Sequence, residues 1–314
     1  MHNEIQVSAS PHIWRKNTTR GIMLDVCIAL LPAVIASVWF FGFRALSIIL
    51  VSVLSAVVFE FIYQKITHTK TTVNDFSAVL TGLLLALNLP VSVPYWVAVF
   101  GSGIAIVLVK QLFGGLGSNF MNPALTARAF LFVSFSTIMS HYPEPSGAFG
   151  KVAIDAMASV TPLSMSHGSV PLLNLFLGNV PGVLGETSKL ALIIGGCYLL
   201  IRGVINWRIP TLFIVSSFLC FFLKGGVDFA VYQILSGGLF LGAIFMATDY
   251  VTAPITPIGQ WIMGIGCGIL LFVMRTYSAF PEGCSFAILL MNIATPLIDR
   301  FTLPVPFGKE KSHV

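Results

Sequence analysis

The sequence predicts an all-α integral membrane protein, with about ten transmembrane helices in two inverted five-helix halves. Three observations carry this. Only 9% of the 314 residues are charged and 56% are hydrophobic, whereas soluble domains carry about 25% charged residues. Apolar runs of near-spanning length recur along the whole chain, and about 20 apolar residues cross a bilayer as a helix. A Trp-x4-Gly-x-Gly-Ile pattern beginning at Trp96 returns at Trp261, and the two copies end in Lys110 and Arg275 at the same offset.

The composition excludes a soluble enzyme, a disordered chain and a fibrous protein, because so few charges cannot cover a globule. The formal net charge of +5 reports loop lysines and arginines that set orientation. No basic cluster offers a nucleic-acid surface. The five cysteines lie in apolar stretches without metal-ligand spacing, as small buried thiols do. The first twenty residues lack an apolar core, so no cleavable signal peptide is expected. Trp14, Arg15, Lys16 and Arg20 read as an interfacial anchor.

Apolar runs between polar breaks place the helices in order. The first half (1–139) holds segments near 22–42, 45–63, 74–89, 95–113 and 121–139. A polar stretch, 140–188, follows. The second half (189–301) holds segments near 189–206, 209–223, 231–248, 261–276 and 284–299, and 302–314 forms a tail. Several segments are short for a span and read as broken or tilted. The third segment of each half runs into prolines, Pro90 and Pro94 in one and Pro254 and Pro257 in the other. Matched interrupted helices in inverted repeats often line a central site; simple proline-terminated loops are the plain alternative.

With the N-terminus in the cytoplasm, Arg15, Lys16, Arg20, Lys65, Lys70, Lys110, Arg202, Arg208, Arg300, Lys309 and Lys311 fall inside. Arg44, Lys151, Lys189, Lys224 and Arg275 fall outside. This bias predicts both termini in the cytoplasm and the 140–188 stretch on the outer face.

Charges within membrane helices are costly unless they face protein or water. Asp25 and Glu60 lie near cytoplasmic helix ends, where snorkelling or interfacial solvation accounts for them. Arg128 is deeper and requires a carboxylate, carbonyls or an anionic ligand. Asp249, at an interrupted helix end, can cap a helix, bind a cation or accept from a ligand N–H. In the outer stretch, Ser159 and Thr161 belong to a small-residue segment with hydroxyls. Gly185, Glu186, Thr187 and Ser188 open the sixth helix. Free backbone N–H groups and hydroxyls at a helix N-terminus favour an anion such as phosphate; an ordinary N-cap with a glycine turn is the other reading.

Asn122-Pro123-Ala124-Leu125 with Arg128-Ala129-Phe130, Ser159-Val160-Thr161-Pro162-Leu163, Gly185-Glu186-Thr187-Ser188, and Phe245-Met246-Ala247-Thr248-Asp249 with a proline soon after occur in this order. As a set they resemble RnfD, the D component of the Rnf ion-translocating electron-transport complex, over nearly the whole chain. They also resemble its relative, the B component of the sodium-pumping NADH:quinone oxidoreductase. The resemblance implies a urea-transporter-like scaffold carrying FMN, joined through its phosphate to a threonine. The matching residue is Thr161, although the Gly-Ala pair that usually precedes it is replaced by Ser159-Val160. Ser159, Arg128, Gly185, Glu186, Thr187 and Ser188 would then surround the FMN. The resemblance also implies a non-covalent riboflavin in the helix bundle, with Asn122 and Asp249 as candidates.

The short stretch before the first helix favours the Rnf component over its quinone-reductase relative. The implied activity is that of a membrane subunit in a ferredoxin–NAD oxidoreductase coupled to Na⁺ or H⁺ transport. The implied partners are the other Rnf proteins: a second covalent-FMN subunit, iron–sulfur subunits and an NADH-binding subunit, with ferredoxin and NAD met indirectly. No metal ligands and no catalytic side chains are expected. A channel or carrier on the same scaffold, without redox chemistry, is the rival class.

Overall fold

A computed structural model of the chain describes residues 18–145, 161–163, 170–186, 188–278 and 282–304. Among these the secondary structure is helical, with one isolated antiparallel bridge between Pro90 and Val183.

Helix α1 (Thr19–Ile66) is opened by Thr18, whose side chain accepts from Gly21 N. It breaks at Gly42, where φ is 68° and ψ is −163°. Such an angle is open to glycine and strained for residues with a Cβ. The break separates the two apolar runs expected at 22–42 and 45–63. Small buried residues recur along α1, at Ala29, Ala33, Ser37, Ala45, Ser52 and Ala56. A seam of small side chains lets helices approach closely in lipid, and here it receives α2 (Ser77–Leu87) and α3 (Tyr95–Gly103). Ser52 Oγ donates to Gly82 O (3.0 Å) and contacts Ser102 Oγ (3.1 Å). The helix of α3 continues as a π-helical stretch, Ile104–Gln111. Then follow α4 (Pro123–Ser134), α5 (Ser136–Met139) and α6 (Leu172–Leu177).

The second part begins with α7 (Lys189–Ile201) and α8 (Arg208–Leu235), the latter broken at Gly226 (φ 80°). A short α9 (Leu239–Leu241) passes into a π-helical stretch, Gly242–Met246. Helices α10 (Pro257–Tyr277) and α11 (Cys284–Thr302) complete the bundle. The repeated Trp-x4-Gly-x-Gly-Ile runs lie on α3 and α10. α10 packs on α8 through Gly264 and Gly268, where a Cβ would meet Leu212 and Ser216.

Two expected segments divide, 121–139 at Phe135 between α4 and α5 and 231–248 at Ser236–Gly238. The run 231–248 is not one helix: its first residues end α8, Ser236–Gly238 interrupt, and Leu239–Met246 resume. Gly237 has φ +69°, so the small residues that read as apolar continuity instead turn the backbone.

Among the described residues four helices, α1, α8, α10 and α11, are long and apolar enough to cross a membrane. The shorter α2, α4 and α7 have 11, 12 and 13 residues, about 16–20 Å at 1.5 Å per residue. Hydrocarbon cores are about 30 Å thick, so these helices are too short to span one alone. Large apolar side chains such as Ile35, Phe43, Ile201 and Leu223 point outward, as lipid-facing residues do. The chain is a membrane-embedded helical protein.

One charge assignment changes. Glu60 does not snorkel; it is fully buried and pairs with Lys110 Nζ at 2.8 Å, and Lys110 also donates to Ser77 Oγ at 2.6 Å. Asp25 forms an ion pair with the exposed Arg202 (3.1 Å) and accepts from Tyr198 Oη (3.0 Å).

Candidate functional site

Short helices converge where charges would otherwise be costly. Asn122 caps α4: its Oδ1 accepts from Ala124 N (3.1 Å) and Leu125 N (3.3 Å), and Pro123 supplies the first helical residue. This start fixes the rotation that buries Arg128. The guanidinium donates to Asn88 Oδ1 (2.9 Å), Ser285 Oγ (3.0 Å), Glu186 Oε1 (3.2 Å) and Glu282 Oε2. It therefore ties together the end of α2, the start of α11 and the segment before α7. Asn88, Ser285 and the two carboxylates supply protein partners for this arginine.

Glu186 and Glu282 are both buried. Two carboxylates share one guanidinium, and both ionised is the costly arrangement. Burial, with Glu282 adding to it, pushes the Glu186 carboxyl above the usual carboxylate range, while Arg128 and Lys189 oppose the shift. Burial and Glu282 also push the Tyr142 phenol up.

Gly185 does not present a free N–H to an anion. Its N–H donates to Leu87 O (2.7 Å), and Leu184 N donates to Leu89 O (3.1 Å). A Cβ at 185 would lie 2.7 Å from Leu87 Cβ and 2.9 Å from Leu87 O. Glycine is required by this backbone contact. Ser188 is the N-cap of α7, accepting from Ala191 N at 3.3 Å. Thr187 and Ser159 lie outside the described residues. The positive charge of the segment comes from the buried Lys189, whose Nζ donates to Glu186 O at 2.7 Å.

Thr161 is buried. Tyr232 Oη donates to Pro162 O (3.1 Å) and holds its neighbour in place. Thr161 lines a small cavity together with Glu186, Lys189 and Glu282, walled by Leu163, Leu175 and Val180. The residues singled out on widely spaced segments, Thr161, Glu186 and Arg128, thus meet in one region. Sequence reasoning does not reveal Glu282, Asn88, Ser285 and Lys189 as members of it. Glu282 lies between Pro281 and Gly283 ahead of α11, and its only signal is a lone carboxylate close to an apolar run.

Asn122 and Asp249 line a second, larger cavity, partly open, with Val26, Lys110, Phe245 and Thr248. Thr252 Oγ1 donates to Asp249 Oδ2 at 3.3 Å. Burial pushes the Asp249 carboxyl above its ordinary value, against hydrogen bonds from Val251, Thr252 and Tyr250. The two cavities are linked through side chains. Asn88, bound to Arg128, lies 3.6 Å from Met246 Sδ, and Asn122 Nδ2 donates to Met246 O at 3.4 Å. Among the described residues no group of three or more His, Cys, Asp and Glu gathers as a metal site.

Known proteins align with this chain along nearly its whole length. The D component of the Na⁺-translocating ferredoxin:NAD⁺ oxidoreductase complex of Acetobacterium woodii is 48% identical over 314 residues, covering 98% of this chain and 96% of the relative. The D component of the proton-translocating ferredoxin:NAD⁺ oxidoreductase complex of Clostridium ljungdahlii is 39% identical, covering 98% of each. The D component of an ion-translocating oxidoreductase complex of Stutzerimonas stutzeri is 38% identical, covering 94% of this chain and 93% of the relative. Residues 6–308 match the model of the NQR2, RnfD, RnfE family, and the chain belongs to that family.

Proposed function

We propose that this chain is the flavin-carrying membrane subunit of an ion-translocating ferredoxin:NAD oxidoreductase. It works alongside further subunits that bring electrons from ferredoxin and NADH chemistry to the membrane. In this reading both termini face the cytoplasm, the halves are inverted, and Thr161 lies on the outer side. FMN is joined by a phosphoester to Thr161, and riboflavin occupies the cavity lined by Asn122 and Asp249.

The observation that carries the reading is the shared cavity of Thr161, Glu186, Lys189 and Glu282. Its residues fit the group. The threonine supplies a hydroxyl oxygen for the ester, and the Lys189 ammonium balances a phosphate. Leu163, Leu175 and Val180 offer an apolar wall. When bound, a flavin supplies one- and two-electron transfer. The protein supplies position and electrostatics. Arg128 and its two carboxylates hold fixed charge beside the cavity, in a site where water is scarce and charge interactions are strong. Lys189 keeps Glu186 in place through its backbone carbonyl. A tether makes physical sense on an outer face, where a dissociable cofactor would be lost to the medium.

Ion coupling, to Na⁺ or H⁺, follows in this reading from reciprocal linkage: a cation site whose affinity depends on flavin charge must in turn shift flavin reduction.

The test is a denaturing gel of the purified protein viewed for flavin fluorescence. The reading predicts a fluorescent band for wild type and none for Thr161→Ala. Equal fluorescence in both sinks the assignment. A colourless protein that moves solute in liposomes by itself would point instead to a carrier on the same scaffold.

A further inference from the structure

At the end of the bundle where α1 begins and its second segment finishes, a polar depression opens at the protein surface. Arg20, Tyr63, Lys70, Asp75 and Gln111 line it, with the loop at Gly114 and Gly115 as its rim. None of these residues belongs to the flavin reading.

Arg20, Lys70 and Gln111 bring donor groups to it. Gln111, at the end of the π-helical stretch after α3, is 8% exposed, and its Nε2 has no hydrogen-bond partner among the described residues. Buried polar groups normally have partners, so a buried amide donor lining a depression marks a place for an acceptor. The Arg20 guanidinium lies 5.3 Å from the centroid of the Phe76 ring, which leaves its N–H edge available. Lys70 adds a second cation. Asp75 is the lining carboxylate, and its Oδ1 already accepts from Ser77 N (2.8 Å) and Ser77 Oγ (2.5 Å). Two cations and an unpaired amide around one space suit an acceptor-rich anion.

The surroundings indicate the source of that anion. Phe61, Ile62 and Ile66 on α1, and Leu112 and Phe113 after the π-helical stretch, are exposed apolar residues close in the chain to those lining the depression. An amphiphile would lay its chains on them and its head in the depression. Basic residues at helix ends attract anionic headgroups.

We propose that the depression lined by Arg20, Lys70 and Gln111 binds the phosphate of an anionic phospholipid headgroup.

Native mass spectrometry of the purified full chain tests this, with titration by short-chain phosphatidylglycerol, phosphatidylcholine or inorganic phosphate. The variants are Gln111→Leu and the surface change Arg20→Gln, which keeps the test open if the buried substitution impairs folding. Phosphatidylglycerol is expected to bind more tightly than phosphatidylcholine; Arg20→Gln is expected to weaken it about fivefold, and Gln111→Leu to weaken it as well. If inorganic phosphate binds and neither lipid is preferred, the lipid is overturned as occupant and the free anion takes its place. Equal binding of both lipids, unchanged in Arg20→Gln and without phosphate competition, overturns the site itself.

Discussion

Arg128 Nη1 donates to Asn88 Oδ1 at 2.9 Å, although the two residues lie forty positions apart. Asn88 caps the broken end of α2, and Arg128 lies one turn and a half into α4. Asn88 also reaches Met246, to which Asn122 of the inner cavity donates. One line of polar contacts therefore runs from the carboxylates beside Thr161 to the cavity lined by Asp249.

Replacing Arg128 by Gln leaves Glu186 and Glu282 buried without their cation. Breaking a buried ion pair from one side costs about 3–5 kcal/mol. The expected outcome is a clear loss of thermal stability in detergent. Glu282→Gln, which leaves Arg128 with Glu186, should cost less than Arg128→Gln when the two unfolding midpoints are compared.

Gly185→Ala forces a methyl group onto Leu87. Overpacking of this kind costs about 1–3 kcal/mol, and here the obstacle includes backbone. The variant should unfold at lower temperature and incorporate less flavin at Thr161. Gly182→Ala is the control, because a Cβ there meets nothing within 4 Å.

Glu186 gives a pH dependence with a definite sign. Its folded-state value lies above the unfolded one, so the folded protein holds the proton more tightly. Stability then falls as pH rises from the ordinary carboxylate range through the elevated value. Unfolding midpoints measured across that range should decline in wild type, and the decline should be shallower in Glu186→Gln. An unchanged slope would assign the dependence to other groups.

Asn122→Ala removes the cap of α4 and a polar lining group of the inner cavity. Loss of a cap costs about 1 kcal/mol. Acid extraction should release less non-covalent flavin from this variant, while the covalent flavin on the denatured chain persists. Asp249→Asn should likewise affect only the extractable fraction.

Much of the fold is legible because helix ends are written in residue chemistry. Gly42 separates two apolar runs, and Asn122-Pro123 is a cap followed by a first-turn proline. The 231–248 run reads as continuous because Ser236-Gly237-Gly238 carries no charge to mark the break. Glu60 reads as a snorkelling carboxylate because its partner, Lys110, is fifty residues away, and distance in sequence hides a buried pair. The same limit conceals Glu282 behind Arg128. Gly185 stands out in the sequence as part of an anion-friendly turn, but its real constraint, contact with Leu87, belongs to tertiary packing. Lys189 looks like an orientation charge and is instead buried beside Thr161.

The central claim, a flavin borne covalently on Thr161, is tested most directly by peptide mass spectrometry of the protein after proteolysis. The account predicts a fluorescent peptide containing Thr161, heavier by one flavin mononucleotide less water, with fragmentation placing the addition on that residue. An unmodified Thr161 peptide, or an addition on Ser159 or Ser164, would contradict it.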